Sequence, residues 1–432
     1  MISAFLTASG ALLKRKTKLL FLLCFLIPSV VFSYEFPPER TKREADKELG
    51  WMFAPLPGCV EGVGCAVPIA GLISNFYKST DLVILKTLAK GDIEATVVQL
   101  QKFPIIDEKL LLKVLYYDWD ISFLSYDRGI HSGKNDYYQT FENLNTSTIN
   151  LQSQFYNQHL EIQIGYSSGG TKISKIFDAD GNQFSNIQSP LRTWVDHTIG
   201  TQIDLTDNHL EPREGIRFEL LHNASNYGLS ELSDYDVNSL NLTTYIPFLG
   251  SDTLLINVFQ SRSYISEHGL TDENALRNKF SLGCDFEMEA DACRNAETKR
   301  INYWRKRNQS GKATALGGLN RMRAYSLGRF YAGNSSNYAL EYRLNFSEKQ
   351  TPMNWIIMGG MRTVLQAAFF YETGSVSDDI SLLHQNMKSS YGLGFRAIIS
   401  GLIYRVDLAT GDDGIAPTLF INYPLSLGTL GS

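Results

Sequence analysis

Apolar and polar side chains alternate with a period of two residues through much of the chain. The clearest segment places five apolar residues on one face: Tyr338, Leu340, Tyr342, Leu344 and Phe346. The residues between them form the opposite face: Ala339, Glu341, Arg343 and Asn345. Successive side chains of a β-strand point to opposite faces, so this rhythm predicts strands rather than helices.

The chemistry of the two faces favours a barrel in a membrane. The apolar face is rich in Tyr, Phe and Leu, while the other face carries Arg, Asp and Glu. A cylinder with lipid outside and a wet lumen inside suits this division, because its charges stay hydrated. An exported soluble sandwich also alternates, and it is the competing interpretation.

The spacing of the segments predicts an all-β transmembrane antiparallel β-barrel of about 16 strands, since a strand with its turn uses about 20–25 residues. The predicted strands are residues 65–76, 79–90, 93–103, 108–118, 146–156, 158–167, 193–205, 213–223, 236–247, 252–264, 311–318, 336–347, 354–373, 389–399, 401–409 and 415–425.

Composition removes several other classes of protein. Aromatic residues make up 12% of the chain, which is too many for a disordered protein. The mean hydropathy of −0.15 is too low for a bundle of membrane-spanning helices. The net charge of −5 is opposite to the basic footprint of a nucleic-acid-binding protein, so no nucleic-acid partner is expected.

The N-terminal segment predicts export. Four cationic residues between Lys14 and Lys18 precede an uncharged apolar run from Leu19 to Phe32. This order is typical of a signal peptide over residues 1–33, whereas the run is short for a membrane anchor. The predicted domains are then a short periplasmic segment at 34–63, the barrel at 64–425 and a tail at 426–432.

Four cysteines outside the predicted signal form two close pairs, Cys59 with Cys65 and Cys284 with Cys293. In an oxidising compartment, two local disulfides are the expected outcome. A metal site is disfavoured because neither spacing is that of a zinc finger and no histidine is adjacent.

The segment 265–310 interrupts the rhythm. It holds Cys284 and Cys293 and a charged stretch from Arg294 to Arg307. Such a stretch is too polar for lipid, so it is predicted to be a long, disulfide-bearing extracellular loop.

The C-terminal third contains a series of short motifs. They are Leu316-Gly317-Gly318, Met322-Arg323-Ala324-Tyr325, Gly328-Arg329-Phe330, Phe370-Tyr371-Glu372-Thr373-Gly374, Ser390 to Arg396 and Leu402 to Leu408. Their order resembles the bacterial surface antigen family of sixteen-stranded outer-membrane barrels, which includes BamA, TamA and FhaC.

The resemblance implies an inward-folded loop that carries the motif Met322, Arg323, Ala324 and Tyr325. Arg323 then corresponds to the lumenal arginine of the family, with Glu372, Gly374 and Arg396 as inner-wall partners. Glu372 stands where the family usually has Asp. Ala324 replaces the Gly of the motif, and because alanine disfavours a positive φ, a turn with positive φ is not expected at this position. The alternation in this strand agrees with an inward position of Glu372. One face of the strand carries Gln366, Ala368, Phe370 and Glu372.

The resemblance implies an integral, multi-pass barrel of the bacterial outer membrane that acts in transport across it, or in membrane assembly or lipid handling. The chain leaves no room for the POTRA repeats of these relatives, so a stand-alone barrel is expected. Outer-membrane lipids and a separate periplasmic protein are the expected partners. The alternative is a surface interaction protein that uses the 265–310 loop and keeps the barrel as an anchor.

No enzyme motif is present. The chain lacks a G-x-S-x-G elbow and nucleotide-binding fingerprints. Its seven histidines are scattered: His131, His159, His197, His209, His222, His268 and His384. The prediction is a protein that is not an enzyme and needs no cofactor or metal.

Overall fold

The fold was analysed in a computed structural model of the chain. It describes residues 37–38, 49–55, 57–87, 93–184, 191–209, 211–228, 231–282, 290–399, 402–421, 424–425 and 427. The predicted signal peptide, Cys284 and nearly all of the predicted tail at 426–432 lie outside these residues.

Within the described residues, eighteen strands form one antiparallel sheet. They are β1 (Gly50–Pro55), β2 (Gly58–Val60), β3 (Gly64–Ala66), β4 (Pro68–Tyr77), β5 (Thr80–Thr87), β6 (Glu94–Ile106), β7 (Leu110–Tyr126), β8 (Tyr137–Phe155), β9 (Leu160–Phe177), β10 (Arg192–Thr206), β11 (Gly215–Asn226), β12 (Asp234–Phe248), β13 (Asp252–Glu267), β14 (Asn334–Trp355), β15 (Met358–Ser377), β16 (Lys388–Ile399), β17 (Leu402–Gly411) and β18 (Gly414–Ile421).

The sheet closes on itself, which confirms the predicted all-β barrel. Consecutive strands pair from β4 to β18, and β18 then meets β2 through the pair Leu419 and Cys59. Closure leaves no continuous open edge, which a sheet in lipid could not tolerate.

The barrel begins earlier than the predicted residue 64. The pair Gly50 and Ser74 in β1–β4 and the pair Cys59 and Cys65 in β2–β3 belong to one continuous register, so the four short strands form a single interrupted hairpin. Residues 50–55 and 58–60 of the segment predicted at 34–63 therefore belong to the sheet. The interruption follows Pro55, and proline cannot donate to a strand ladder, so the alternation there was too broken to be recognised.

The two ends of the cylinder differ. Tight turns such as 78–79, 107–109, 249–251 and 356–357 lie at one end, called here the short-turn end. Longer connections, including 127–136, 268–333 and 378–387, lie at the other, called the long-loop end.

Burial in this barrel is the reverse of that in a soluble protein. Ile164 is 60% exposed and Phe369 is 54% exposed on the outside of the sheet. Glu372 and Arg396, on the inside, are fully buried. A soluble protein hides its large apolar side chains and rarely buries charges, so this arrangement fits a cylinder surrounded by acyl chains.

Two predicted strands are wrong. Residues 311–318 form no strand, because Gly317 and Gly318 take positive φ angles of 106° and 101°, which turn the chain out of an extended conformation. Residues 354–373 are not a single strand, since the turn at 356–357 separates β14 from β15.

The segment at 265–310, predicted to be a loop, begins with the last residues of β13, and most of its described part is helical. It contains α1 (Glu273–Phe280) and α2 (Ala290–Ser310). Asp272 caps α1 by accepting a hydrogen bond from the Ala275 amide at 2.9 Å. Cys293, Ile301 and Trp304 of α2 are buried at helical spacing. Neither helix is long and apolar enough to cross a membrane.

Candidate functional site in the barrel lumen

A loop between α2 and β14, residues 311–333, folds into the barrel and is called here the lumenal loop. Its two arms are joined by paired backbone hydrogen bonds between Leu316 and Phe330. The Gly317 amide donates to the Arg321 carbonyl at 3.1 Å, and the Gly318 amide donates to the Tyr325 carbonyl at 2.8 Å. These internal bonds make the tip of the loop compact, with Arg323 near its centre.

Arg323 binds carboxylates from three different strands. Its Nε donates to Glu372 Oε1 of β15 at 3.0 Å, and Nη2 donates to Glu341 Oε2 of β14 at 3.0 Å. Its Nη1 donates to Asp407 Oδ2 of β17 at 3.3 Å. The Arg323 side chain is fully buried. A planar guanidinium can serve several acceptors at fixed angles, which is why an arginine suits this position.

Further contacts orient Arg323. Its backbone amide donates to Glu372 Oε2 at 2.8 Å, so Glu372 holds both the main chain and the side chain. The guanidinium carbon lies 3.4 Å from the centre of the Phe370 ring, in a cation–π contact. Glu372 and Phe370 lie on the predicted inward face of β15.

The neighbours of Arg323 in the motif also contact the wall. The positive φ that was questioned at Ala324 occurs instead at Met322, whose φ is 56°. Alanine therefore causes no strain in the place of the family glycine. The Ala324 amide donates to Ser390 Oγ at 3.0 Å, and the Tyr325 hydroxyl donates to the Ser389 carbonyl at 3.0 Å.

A second layer of charges surrounds this contact. Arg396, predicted as a wall residue, lies 2.8 Å from Glu341 and donates to Gln366 Oε1 at 2.9 Å. Arg343 donates to Glu341 at 2.7 Å. Arg405 donates to Asp407 at 2.6 Å and also to the Leu319 carbonyl of the loop.

Four members of this cluster were not predicted: Glu341, Arg343, Arg405 and Asp407. Each lay on the polar face of a predicted strand, which was the available signal. Glu341 and Asp407 bind Arg323, and Arg343 and Arg405 pair with these two acids. This arrangement depends on how neighbouring strands are staggered, which does not follow from the pattern of one strand.

Gly374, the remaining predicted wall residue, provides space for the loop. A Cβ at this position would lie 2.8 Å from Leu316 Cδ1 and 2.9 Å from the Ser336 carbonyl oxygen. The wall and the loop therefore approach each other more closely here than a side chain would allow.

The first hairpin also holds the loop. The predicted Cys59–Cys65 disulfide is present and joins β2 to β3. At the adjoining turn, the Leu327 amide donates to the Glu61 carbonyl at 3.1 Å. Cys293 is disulfide-bonded, while its predicted partner Cys284 lies outside the described residues.

The lumenal cluster contains no catalytic arrangement of side chains that we recognise. Its acids are engaged by arginines, as described above. In the part of the chain that the structure describes, no group of His, Cys, Asp and Glu side chains is placed to hold a metal.

The chain was compared with protein families, curated proteins and solved structures. No protein-family model matches the chain, and no curated protein matches it significantly. Among solved structures, BamA from Haemophilus ducreyi lacking POTRA domains 1–3 is similar with 10% identity and a TM-score of 0.47, over 87% of this chain and 69% of that one. CdiB from Acinetobacter baumannii is similar with 11% identity and a TM-score of 0.47, over 87% of this chain and 60% of that one.

Proposed function

We propose that this chain is an outer-membrane barrel in which the lumenal loop gates a passage, for transport across the membrane or for assembly and lipid handling within it. The observation that carries the proposal is the contact of Arg323 with Glu341, Glu372 and Asp407. Through it, one loop inside the cylinder is bound to three strands of the wall.

The chemistry of this contact is suited to a gate. Well-packed apolar residues often stabilise a fold as well as a buried ion cluster does, so a cluster is not needed for stability alone. A polar cluster specifies one bound position of the lumenal loop. If the loop moves away, the charged groups of the cluster can be hydrated by water in the lumen.

The outer surface and the short-turn end of the barrel are suited to the expected partners. The exposed apolar side chains, including Leu393 at 53% exposure, form the surface that outer-membrane lipids would cover. A separate periplasmic protein would meet the short-turn end. No nucleic-acid partner and no enzymatic reaction are part of the proposal.

The test is conductance of the purified full chain in planar lipid bilayers. Arg323→Ala removes the cation that three buried carboxylates share, so we expect more frequent or larger channel openings than in the unaltered protein. Arg323→Lys keeps the charge but loses the planar geometry, and it should give an intermediate result if the alanine variant fails to fold.

The matched control is Arg305→Ala on α2, which removes an arginine side chain that is 35% exposed outside the lumen. It should leave conductance unchanged. Identical records from the unaltered protein and both folded Arg323 variants would refute the gate, whereas heat-modifiable gel mobility would independently establish that the barrel has formed.

The alternative of a surface interaction protein has a specific structural test. Helix α2 is docked on the mouth of the barrel, since Arg307 lies 4.3 Å from the Tyr227 ring centre and 5.0 Å from that of Tyr235. This docking suggests that α2 forms part of the barrel mouth and is not a free arm that binds a partner. Deleting residues 273–310 should therefore disturb the barrel as well as any binding to a partner.

A further inference from the structure

A cavity of about 770 Å³ lies at the long-loop end, apart from the Arg323 cluster. It is bounded by α2, the lumenal loop, the 127–136 connection and the end of β15. Pockets of this size accommodate a molecule of tens of atoms rather than a single inorganic ion.

The lining of this cavity is cationic although the chain as a whole has a net charge of −5. Six basic side chains line it: Arg128, Arg192, Lys299, Arg300, Lys306 and Lys312. Three acidic side chains line it: Asp127, Glu142 and Asp378. The local balance is therefore opposite to that of the whole protein, and it favours an anionic ligand.

Two of the acids are already engaged. Arg128 forms an ion pair with Asp378, and Lys299 lies 3.3 Å from Asp127. Among the described residues, no carboxylate lies within ion-pair distance of Lys306 or Lys312. Lys312 instead lies 4.9 Å from the centre of the Tyr331 ring.

The effect of the cations is visible at Tyr303 of α2. Burial alone would raise the pKa of its phenol, but Lys312, Arg307, Arg128 and Arg192 lower that pKa below its ordinary value. The lowered pKa of Tyr303 reflects the cations beside it, whereas burial raises the pKa of Tyr331, which also lines the cavity.

Neutral polar groups and aromatic rings complete the lining. Ser125, Thr140, Asn302, Ser377 and Asn386 supply hydroxyl and amide groups. The indole Nε1 of Trp304 is buried and has no acceptor among the described residues. Hydroxyl and amide groups suit the hydroxyls of a sugar, while the lysines suit a phosphate.

We infer that this cavity binds a phosphorylated saccharide, with Lys306 and Lys312 contacting the phosphate. The saccharide is either a soluble sugar phosphate or the headgroup of a glycolipid in the outer leaflet, and both present the same chemistry. The residues that contact Arg323 take no part in this inference, although Lys312 of the lumenal loop lines the cavity.

The experiment titrates the full-length protein in detergent with glucose 1-phosphate by calorimetry, with glucose as the neutral match. In a second arm, lipid nanodiscs with and without lipid A are compared by the fluorescence of Trp304, using Trp304→Phe to identify its signal. Binding in either arm supports the inference, and the arm that responds identifies the source of the phosphorylated sugar.

The double variant Lys306→Gln/Lys312→Gln should weaken binding about tenfold, since two partly exposed charge interactions are lost. Lys306→Gln alone alters only an exposed side chain, and it should show part of that effect if the double variant folds poorly. Lys279→Gln is the matched control, because Lys279 is 58% exposed on α1 and does not line the cavity. Absence of binding in both arms, or equal weakening in the control, would overturn the inference.

Discussion

The two sides of the barrel interior satisfy their polar groups in different ways. On the side formed by β14–β17, called here the loop-side wall, three arginines and three acids form ion pairs among themselves and with Arg323 of the lumenal loop. On the side formed by β8–β10, called here the far wall, the buried inward residues include the amides Gln154, Gln163 and Gln202 beside the acids Glu161 and Asp204. Among the described residues, both amide atoms of Gln163 lack a protein partner.

The loop-side wall is built around a specific contact with the lumenal loop. The far wall provides a polar lining for the lumen. Charges that converge on Arg323 fix one position of one loop. Amides that face the lumen keep it hydrophilic without selecting a position for any segment. Substitutions should therefore be costly at the loop-side wall and mild at a far-wall amide without a protein partner, such as Gln163.

The largest effect is expected for Arg323→Ala. The change leaves Glu341, Glu372 and Asp407 buried without their shared cation, which typically costs about 3–5 kcal/mol of unfolding free energy. Urea titration of the folded barrel in micelles measures this loss. Arg305→Ala should change the same quantity by less than about 1 kcal/mol, and an equal loss in both variants would contradict the comparison.

A double-mutant cycle measures the coupling energy between Arg323 of the loop and Glu372 of the wall. Arg323→Ala, Glu372→Ala and their combination should give a coupling energy of about 2–3 kcal/mol, because the two side chains are in direct contact at 3.0 Å. Pairing Arg323→Ala with Gln163→Ala of the far wall should give additive changes. Additivity in the Glu372 cycle would mean that the contact is not energetically important.

A steric substitution tests the loop-side wall without altering charge. Gly374→Ala forces a Cβ against Leu316 and the Ser336 carbonyl, and should cost about 1–3 kcal/mol in the same urea titration. Gly71→Ala in β4 is the control, since the nearest atom to its added Cβ lies 4.0 Å away. Equal stability of the two variants would show that the loop does not pack closely against β15.

The smallest effect is expected at the far wall. Gln163→Leu replaces an amide that has no protein partner, so the unfolding free energy should change by less than about 1 kcal/mol. A loss as large as that of Arg323→Ala would remove the distinction between the two walls.

The sequence allowed both faces of individual strands to be predicted. Glu372 and Phe370 were assigned inward, and Phe369 and Tyr371 are exposed, because alternation is a local property of each strand. The resemblance of the motifs to a known family identified Arg323 and its proximity to Glu372. That contact could not be obtained from alternation alone.

What the sequence did not reveal depends on relations between elements. Glu341 and Asp407 reach Arg323 from separate strands, so finding them requires the stagger of the whole cylinder. Helix α2 was not predicted because its many charged residues indicated a loop. Its buried Cys293, Ile301 and Trp304 nevertheless recur at helical spacing.

The most direct test of the account compares adjacent residues of β9, Gln163 and Ile164, which are 0% and 60% exposed. Each is replaced singly by cysteine, labelled with bimane without reducing the native disulfides, and reconstituted in bilayers with brominated acyl chains. The account predicts strong quenching at position 164 and little at position 163, because only the first faces lipid. Equal quenching at both positions, or stronger quenching at position 163, would contradict a barrel with an apolar outside and a polar lumen.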